Sequence, residues 1–302
     1  MKPDMTTDLG FVRLKNPVMT ASGTFGSGEE YSEFLDISRL GAVVTKGVSD
    51  VPWDGNPSPR IAETPSGMLN AIGLENPGVD RFLAKDLPFL KKSGATIGVN
   101  VCGHTEEEYL NVVRKLTDDA ISFLEINISC PNVKQGALAF GTDPQMVEKI
   151  TKEIKEATDK PVVMKLTPNV TDIKEIARAA EAGGADGVSL INTITGMKID
   201  INRQKFVLAN KTGGLSGPAI HPVAVRMVYE ASHAVKIPVI GMGGIEKWQD
   251  AVEMMLAGAS AVAVGAANFY NPTATLEIID GIENYLDDQG MDSVSEIVGA
   301  AE

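Results

Sequence analysis

Ile121-Ser122-Phe123-Leu124-Glu125-Ile126-Asn127-Ile128-Ser129-Cys130-Pro131-Asn132 is the stretch from which the rest of the chain is read. Its opening residues, Ile121 to Ile126, form a short apolar run that reads as a buried strand. At the strand's end the chain sets an amide, a thiol and a second amide close together: Asn127, Cys130 and Asn132. Pro131 biases the preceding residue away from helical backbone, so the thiol stands at a strand's carboxyl end. That placement suits a proton-abstracting or nucleophilic residue. The plain alternative is a buried cysteine in a strand-to-loop turn, and the stretch by itself favours that alternative. The rest of the chain reverses the balance.

Apolar, β-branched runs recur at 17–21, 42–46, 96–101, 123–129, 162–166, 187–192, 238–242 and 261–265. Between most of them, at 106–117, 144–158, 173–182, 223–234, 247–256 and 273–286, apolar residues return near a helical period, which predicts amphipathic helices. Thr142-Asp143 and Thr171-Asp172 read as helix starts. Gly183-Gly184 and Gly258 sit where helices stop. About eight strands alternating with helices over 302 residues predict an α/β protein, a single (β/α)8 TIM barrel domain spanning residues 1–302. A doubly wound open sheet is the other arrangement. No GxGxxG follows an early strand with an acidic residue about twenty positions on, as a dinucleotide-binding sheet would have. Two connections exceed simple turns: 47–95, rich in Pro, Gly and Asn, and 193–220, which carries Lys, Asn and Gly-Gly. At the carboxyl ends of barrel strands such insertions build active sites or lids; interface loops are their other use.

Composition narrows the classes. A hydrophobic content of 43% supports a barrel-sized core. With aromatics at 5% and 30 glycines, small and β-branched residues must fill that core, as suits a parallel sheet. The formal net charge of −13 repels nucleic acid and anionic membranes. It leaves room for an anionic ligand in a local lysine pocket. The two cysteines, Cys102 and Cys130, make neither a disulfide framework nor a CxxC motif, and His104, His221 and His233 are scattered, so no metal is expected. The N-terminal MKPDMTTDLG lacks a signal pattern. No apolar run reaches the roughly 18–20 residues of a membrane span; a cytoplasmic location is expected.

The strand ends carry an unusual polar load. Ser22 follows the first strand, Lys46 ends the second and Asn100 the third. Asn127 and Cys130 end the fourth, Lys165 the fifth, and Asn192 and Thr193 the sixth. In a barrel these ends converge on the face where ligands bind. One lysine at a strand end is an ordinary surface residue. Two lysines, several asparagines and a cysteine at successive ends are costly to bury unless a ligand or a network satisfies them. The last two strands end in Gly241-Met242-Gly243-Gly244 and Val264-Gly265-Ala266-Ala267. Glycines there let backbone N–H groups approach a phosphate, and a helix starting near Ile245 would add its positive end. Tight turns that need glycine are the equal alternative. Gly213-Gly214-Leu215-Ser216-Gly217 offers further close backbone approach. The inventory predicts a phosphorylated cofactor across the carboxyl face, and a pocket lined by Lys and Asn for a small polar anion beside a thiol.

ASGTFG (21–26), TKGV (45–48), MLNAIGLENPG (68–78), NISCPN (127–132), KLTPN (165–169), GGLSGPA (213–219) and GMGGI (241–245) together resemble the dihydroorotate dehydrogenase family, in order and across nearly the whole chain. The family is a flavin mononucleotide (FMN) barrel oxidising dihydroorotate to orotate in pyrimidine biosynthesis. The resemblance implies that Cys130 is the catalytic base of the soluble class, where the membrane-bound class has Ser. It places Lys46, Asn70, Ala71, Ile72, Gly73, Leu74, Asn127, Asn132, Asn192 and Thr193 around the substrate. Around FMN it places Ser22, Lys46, Gly47, Asn100, Asn127, Lys165, Ile191, Gly217, Gly243, Gly244, Gly265 and Ala266. Ala266 is a departure: relatives commonly carry Thr there, so one hydroxyl contact to the phosphate is missing and somewhat weaker FMN binding is expected.

The segment 193–218 resembles the two-subunit, NAD-linked class, which pairs this catalytic subunit with an electron-transfer subunit carrying FAD and a [2Fe–2S] cluster. Two cysteines cannot hold such a cluster, for which four thiolates are usual, so a partner polypeptide must carry it. The resemblance further implies a homodimer of catalytic subunits and, with the partner, a heterotetramer. In the implied reaction Lys46 pairs with the substrate carboxylate and asparagines fix the ring. Cys130 takes a proton from carbon 5, hydride leaves carbon 6 for the flavin, and Lys165 supports the reduced flavin's charge. A lid is expected at 136–140. Three alternatives stay open. One is another FMN-dependent barrel oxidoreductase; the second is a phosphate-binding barrel isomerase or aldolase using Lys165 as a Schiff-base residue; the third is a barrel without chemistry.

Overall fold

The computed structural model describes residues 2–129 and 140–301. Eight parallel strands form its main sheet: β1 (Val18–Thr20), β2 (Val43–Val44), β3 (Ile97–Val101), β4 (Ile121–Asn127), β5 (Val162–Lys165), β6 (Gly187–Leu190), β7 (Val239–Met242) and β8 (Ala261–Val264). Each pairs with its sequence neighbours, β8 returns to β1, and β1 meets β2 through a bridge between Met19 and Ala42. Gly41 N donates to Val18 O at 2.7 Å across that seam. The sheet is a closed (β/α)8 barrel, as the alternation of runs predicts.

Helices α1 (Leu87–Ser93), α2 (Glu106–Lys115), α3 (Pro144–Ala157), α4 (Ile173–Ala182), α5 (His221–Ser232), α6 (Trp248–Leu256) and α7 (Ala274–Gln289) follow β2 to β8. After β1 two short 3-10 turns, Tyr31–Glu33 and Ile37–Arg39, take the place of a helix. The starts read from sequence are real caps: Asp143 accepts from Gln145 N and Asp172 from Lys174 N, both at 2.9 Å. Gly258 ends α6 at φ +118, where a Cβ would lie 2.2 Å from Ser232 Oγ, so only glycine fits.

Side chains alternate across each strand, and the inward set fills the barrel in layers. At the amino end Met19, Val44, Phe123, Val163, Ile240, Ala261 and Ala263 pack together. A short hairpin pairing Thr7–Asp8 with Arg13–Leu14 plugs this end, and its loop residue Phe11 meets Phe123 edge-on at 5.9 Å. Gly98 makes room for the Phe123 ring, since a Cβ there would come within 2.4 Å of it. Above the plug the inward positions turn polar: Asn100 on β3, Glu125 and Asn127 on β4, Lys165 on β5 and Ser189 on β6.

The two long connections are not loops. Ile61–Thr64 and Gly67–Asn70 from the first join Thr212–Ser216 and Ile194–Met197 from the second in one four-stranded antiparallel sheet. The first connection also holds α1, which its Pro- and Gly-rich composition hid.

Gly98→Ala should destabilise the chain by about 1–3 kcal/mol through overpacking against Phe123. Adding Phe123→Leu should recover part of that loss. Urea unfolding of the single and double variants checks both.

Candidate active site at the carboxyl end of the barrel

The polar layer is built by register. Asn100 pairs in sequence register with Glu125, Asn127 with Lys165, and Lys165 with Ser189. Three donors therefore reach the Glu125 carboxylate: Asn100 Nδ2 at 2.6 Å, Ser189 Oγ at 2.8 Å and Lys165 Nζ at 3.5 Å. Glu125 is 2% exposed and Lys165 5%. Asn100 spends its amide nitrogen on Glu125, and its buried Oδ1 has no partner among the described residues. Ser129 Oγ, just past β4, is likewise buried and unpartnered. A buried acceptor left open is costly, so a ligand donor is the natural occupant of that position.

Lys46 stands beyond the end of β2, its backbone N donating to Gly26 O at 2.8 Å. Burial pushes its ammonium below the ordinary lysine pKa, with the nearby Cys102 thiol and Glu75 carboxylate opposing that shift. Its ammonium makes no ion pair among the described residues. Gly47 lies against the Asn100 side chain: a Cβ on it would sit 3.1 Å from Asn100 Oδ1 and 3.3 Å from Cys102 Sγ. Asn127 Oδ1 accepts from Ser129 N and from Asn192 Nδ2, both at 3.2 Å, and Tyr109 OH donates to Asn127 O at 2.6 Å. Asn192 Oδ1 in turn accepts from Thr193 N at 2.7 Å.

The upper sheet carries the next group over this layer. Asn70 is in register with Gly214, and its Nδ2 donates to Gly214 O at 3.4 Å. Thr193 fills the space where a Gly214 Cβ would be, 1.9 Å from Oγ1. Ala71, Ile72, Gly73 and Leu74 follow as a loop with Gly73 at φ +77 and Leu74 at φ +54. Asn76, absent from the sequence-based set, pins that loop. Its Oδ1 accepts from Ser49 N, Ser49 Oγ and Gly78 N, and its Nδ2 donates to Leu74 O at 2.8 Å. Its signal was its place in the MLNAIGLENPG stretch, three residues past Gly73. Glu125 carried no such signal: it lies inside the apolar run of β4.

On the opposite side Gly243 and Gly244 take positive φ and press against α5, where Cβ atoms would come within 2.8 Å of Ala224 Cβ and 2.7 Å of His221 Cβ. The His221 ring bridges Gly243 O at 2.9 Å and Glu253 Oε2 at 3.2 Å. Gly217 lies beside Gly67, and Ile191 beside Gly243. The helix expected near Ile245 begins later, at Trp248, because Asp250 Oδ2 accepts from Glu246 N and Lys247 N. Gly265 and Ala266 follow β8, and a Cβ on Gly265 would meet the protein only at ordinary contact, 3.5 Å from Ala21 Cβ. Ser22 follows β1 on the same rim. Cys130 and Asn132 lie outside the described residues, as does the expected lid at 136–140 apart from Phe140.

A family model described as dihydroorotate dehydrogenase matches residues 5–286. The chain belongs to that family. It is 61% identical over 288 residues to the dihydroorotate dehydrogenase B (NAD(+)) catalytic subunit of Lachnoclostridium phytofermentans, covering 95% of this chain and 96% of the relative. The protein of the same name from Alkaliphilus metalliredigens is 59% identical over 299 residues, covering 99% of each chain. That from Geotalea uraniireducens is 53% identical over 300 residues, covering 99% of this chain and 98% of the relative. The dihydroorotate dehydrogenase barrel of this chain has, among its described residues, no helix long and apolar enough to cross a membrane.

Two outcomes test this geometry. Asn76→Ala should cost roughly 2–4 kcal/mol, because several loop donors and acceptors lose their partner; thermal or urea unfolding measures it. Lys46→Met should stabilise the ligand-free chain by about 1 kcal/mol at neutral pH, since it removes a partly buried ammonium with no ion pair among the described residues. Between Lys46's lowered folded pKa and the ordinary 10.5 the unfolded chain binds more protons, so wild-type stability rises with pH there and the variant's advantage fades. Unfolding midpoints at neutral and alkaline pH check the sign.

Proposed function

We propose that this chain oxidises (S)-dihydroorotate to orotate in pyrimidine biosynthesis, as the FMN-bearing catalytic subunit of an NAD+-linked enzyme. The observation that carries the reading is Lys46: a partly buried ammonium with no ion pair among the described residues, followed in the chain by Gly47, which lies against the Asn100 side chain, at strand ends that also carry the linked amides of Asn127 and Asn192. Such a seat takes a small ring that bears a carboxylate and many hydrogen-bonding groups. The names of the relatives, matched over nearly their full lengths, support the substrate and the final acceptor.

The residues fit FMN. The open Asn100 Oδ1 would accept a hydrogen bond from the group, and Lys165, which shares Glu125 with Asn100, would offer it a positive charge. The backbone at Gly217, Gly243, Gly244, Gly265 and Ala266 offers close approach for a phosphate, with Ser22, Gly47 and Ile191 completing the wall. Bound FMN supplies the hydride acceptor. Lys46 holds the substrate carboxylate. Asn70, Asn127, Asn132, Asn192 and Thr193 orient the ring, and the loop from Ala71 to Leu74 covers it. Cys130 takes the proton from carbon 5. The aldolase alternative needs an accessible amine, and Lys165 is 5% exposed and bonded to Glu125.

The relatives' designation as catalytic subunits supports a separate electron-transfer partner. With only two cysteines here, FAD and [2Fe–2S] belong on that partner, and we place the working assembly as a heterotetramer around a catalytic homodimer, in the cytoplasm. The chain acts in it as one barrel domain, 1–302.

An anaerobic visible spectrum tests the reading: the purified chain should show flavin absorbance that bleaches with dihydroorotate. A colourless protein that FMN cannot reconstitute would reject it. Cys130→Ser should fold, bind FMN and lose turnover roughly a hundredfold at neutral pH. The wild-type rate should climb as pH rises towards the ordinary thiol pKa of about 8.5. Near-normal turnover in the serine variant would remove Cys130 from the base role.

A further inference from the structure

We infer that Glu125 is a positioning residue of the cofactor site: it is the counter-charge that holds the Lys165 ammonium at the barrel mouth and sets the reduction potential of the bound flavin. The inference rests on the FMN reading above and adds to it a residue two layers below the rim.

Glu125 sits on β4 directly above the apolar plug, with Phe123 beneath it and Asn127 above it on the same strand face. It is 2% exposed, and its three partners, Asn100 Nδ2, Ser189 Oγ and Lys165 Nζ, all donate. That is the pattern a carboxylate accepts. The short contacts go to the neutral donors, at 2.6 and 2.8 Å, while Lys165 stays at 3.5 Å. Glu125 is thus anchored from β3 and β6, and Lys165 on β5 is drawn to it without being consumed by it. The ammonium keeps donors for a ligand, and Asn100, turned by the same carboxylate, keeps its Oδ1 open. One buried acid fixes the two groups that face the cofactor.

Fold stability gives no reason for the charges, because apolar side chains of similar volume hold a core as well or better than a buried ion pair. Their consequence is a field. Lys165 alone would present a full positive charge to a flavin that gains negative charge on reduction; Glu125 offsets part of it. Removing the carboxylate while keeping its shape should favour the reduced flavin.

The test compares Glu125→Gln with Glu125→Asp in the FMN-loaded chain, reading the two-electron midpoint potential anaerobically and the affinity of the apo-chain for oxidised FMN. Glu125→Gln should bind reduced FMN about tenfold more tightly relative to oxidised FMN, a rise of about 30 mV. Glu125→Asp, which keeps the charge and loses the shape, should stay within about threefold of wild type. A role in packing alone predicts the reverse ranking, and that result, or an unchanged potential in Glu125→Gln, overturns the assignment. If Glu125→Gln does not fold or hold FMN, Glu125→Asp decides: a wild-type potential supports the assignment and a tenfold departure overturns it. Wild-type chain that binds no FMN would remove the flavin reading and this inference together, whereas normal wild-type flavin chemistry with an indifferent Glu125→Gln removes only the latter.

Discussion

The inward register of the barrel strands is the constraint on which the site depends. Because successive side chains alternate across a strand, Phe123, Glu125 and Asn127 share one face of β4 and stack from plug to buried acid to mouth. The same parity places Gly98 and Asn100 on β3, Val163 and Lys165 on β5, and Ser189 on β6 at matching heights. A slip of one residue would send this whole set outwards into the helical layer. The apolar plug, with Phe11 against Phe123, packs on the same inward faces that carry the polar layer above it, so a slip that moved one would move both.

A second constraint acts above the barrel. The two excursions, separated by more than a hundred residues in sequence, are locked into one sheet by the pairing of Gly67–Asn70 with Thr212–Ser216. Gly214 is the tightest point of that lock: Thr193 occupies the space a side chain would need, and Asn70 lies in register with it. Neither Asn70 nor Thr193 could be placed by its own connection alone. Asn76 then ties the loop that leaves this sheet to Ser49, and so back to the backbone beyond β2. The cover over the mouth is in this way continuous with the barrel, which keeps Asn70 and the loop from Ala71 to Leu74 in fixed positions relative to the polar layer beneath.

The barrel was legible because parallel strands covered on both faces read as unbroken apolar runs, and because Asp143, Asp172 and Gly258 act locally, within a residue or two of where they stand. The features that stayed hidden are those decided at long range. The hairpin of Thr7–Asp8 and Arg13–Leu14 is too short for periodicity to register. Helix α1 continues a helical turn at Val79–Arg81 and a π-helical segment over Phe82–Asp86, inside a connection whose Pro and Gly content reads as loop. The upper sheet depends on pairing between distant segments. Glu125 stood in plain view, but an acid within an apolar run is informative only once its neighbours in register are known to be Asn100 on one side and the strand bearing Lys165 on the other. The helical period over 247–256 places the start of α6 to within a residue, at Trp248, while the phosphate-site reading that put it near Ile245 falls on a turn whose backbone N–H groups, at Glu246 and Lys247, are taken by Asp250.

The two lysines at the mouth are solved differently, and the difference orders the site. Lys165 comes with its counter-charge in place, so its field is already moderated before any ligand arrives. Lys46 has no acid in contact, and burial depresses its pKa. Its charge is a standing cost in the ligand-free chain. An anionic ligand that brings its own carboxylate removes that cost on binding and so stabilises the folded chain as well as filling the pocket. A neutral ring of the same shape would leave Lys46 unpaired and Asn100 Oδ1 dependent on whatever cofactor lay beneath. On the proposed function, selectivity for a carboxylate-bearing ring would arise less from attraction at long range, which a net charge of −13 opposes, than from the relief of one partly buried ammonium without an ion pair among the described residues.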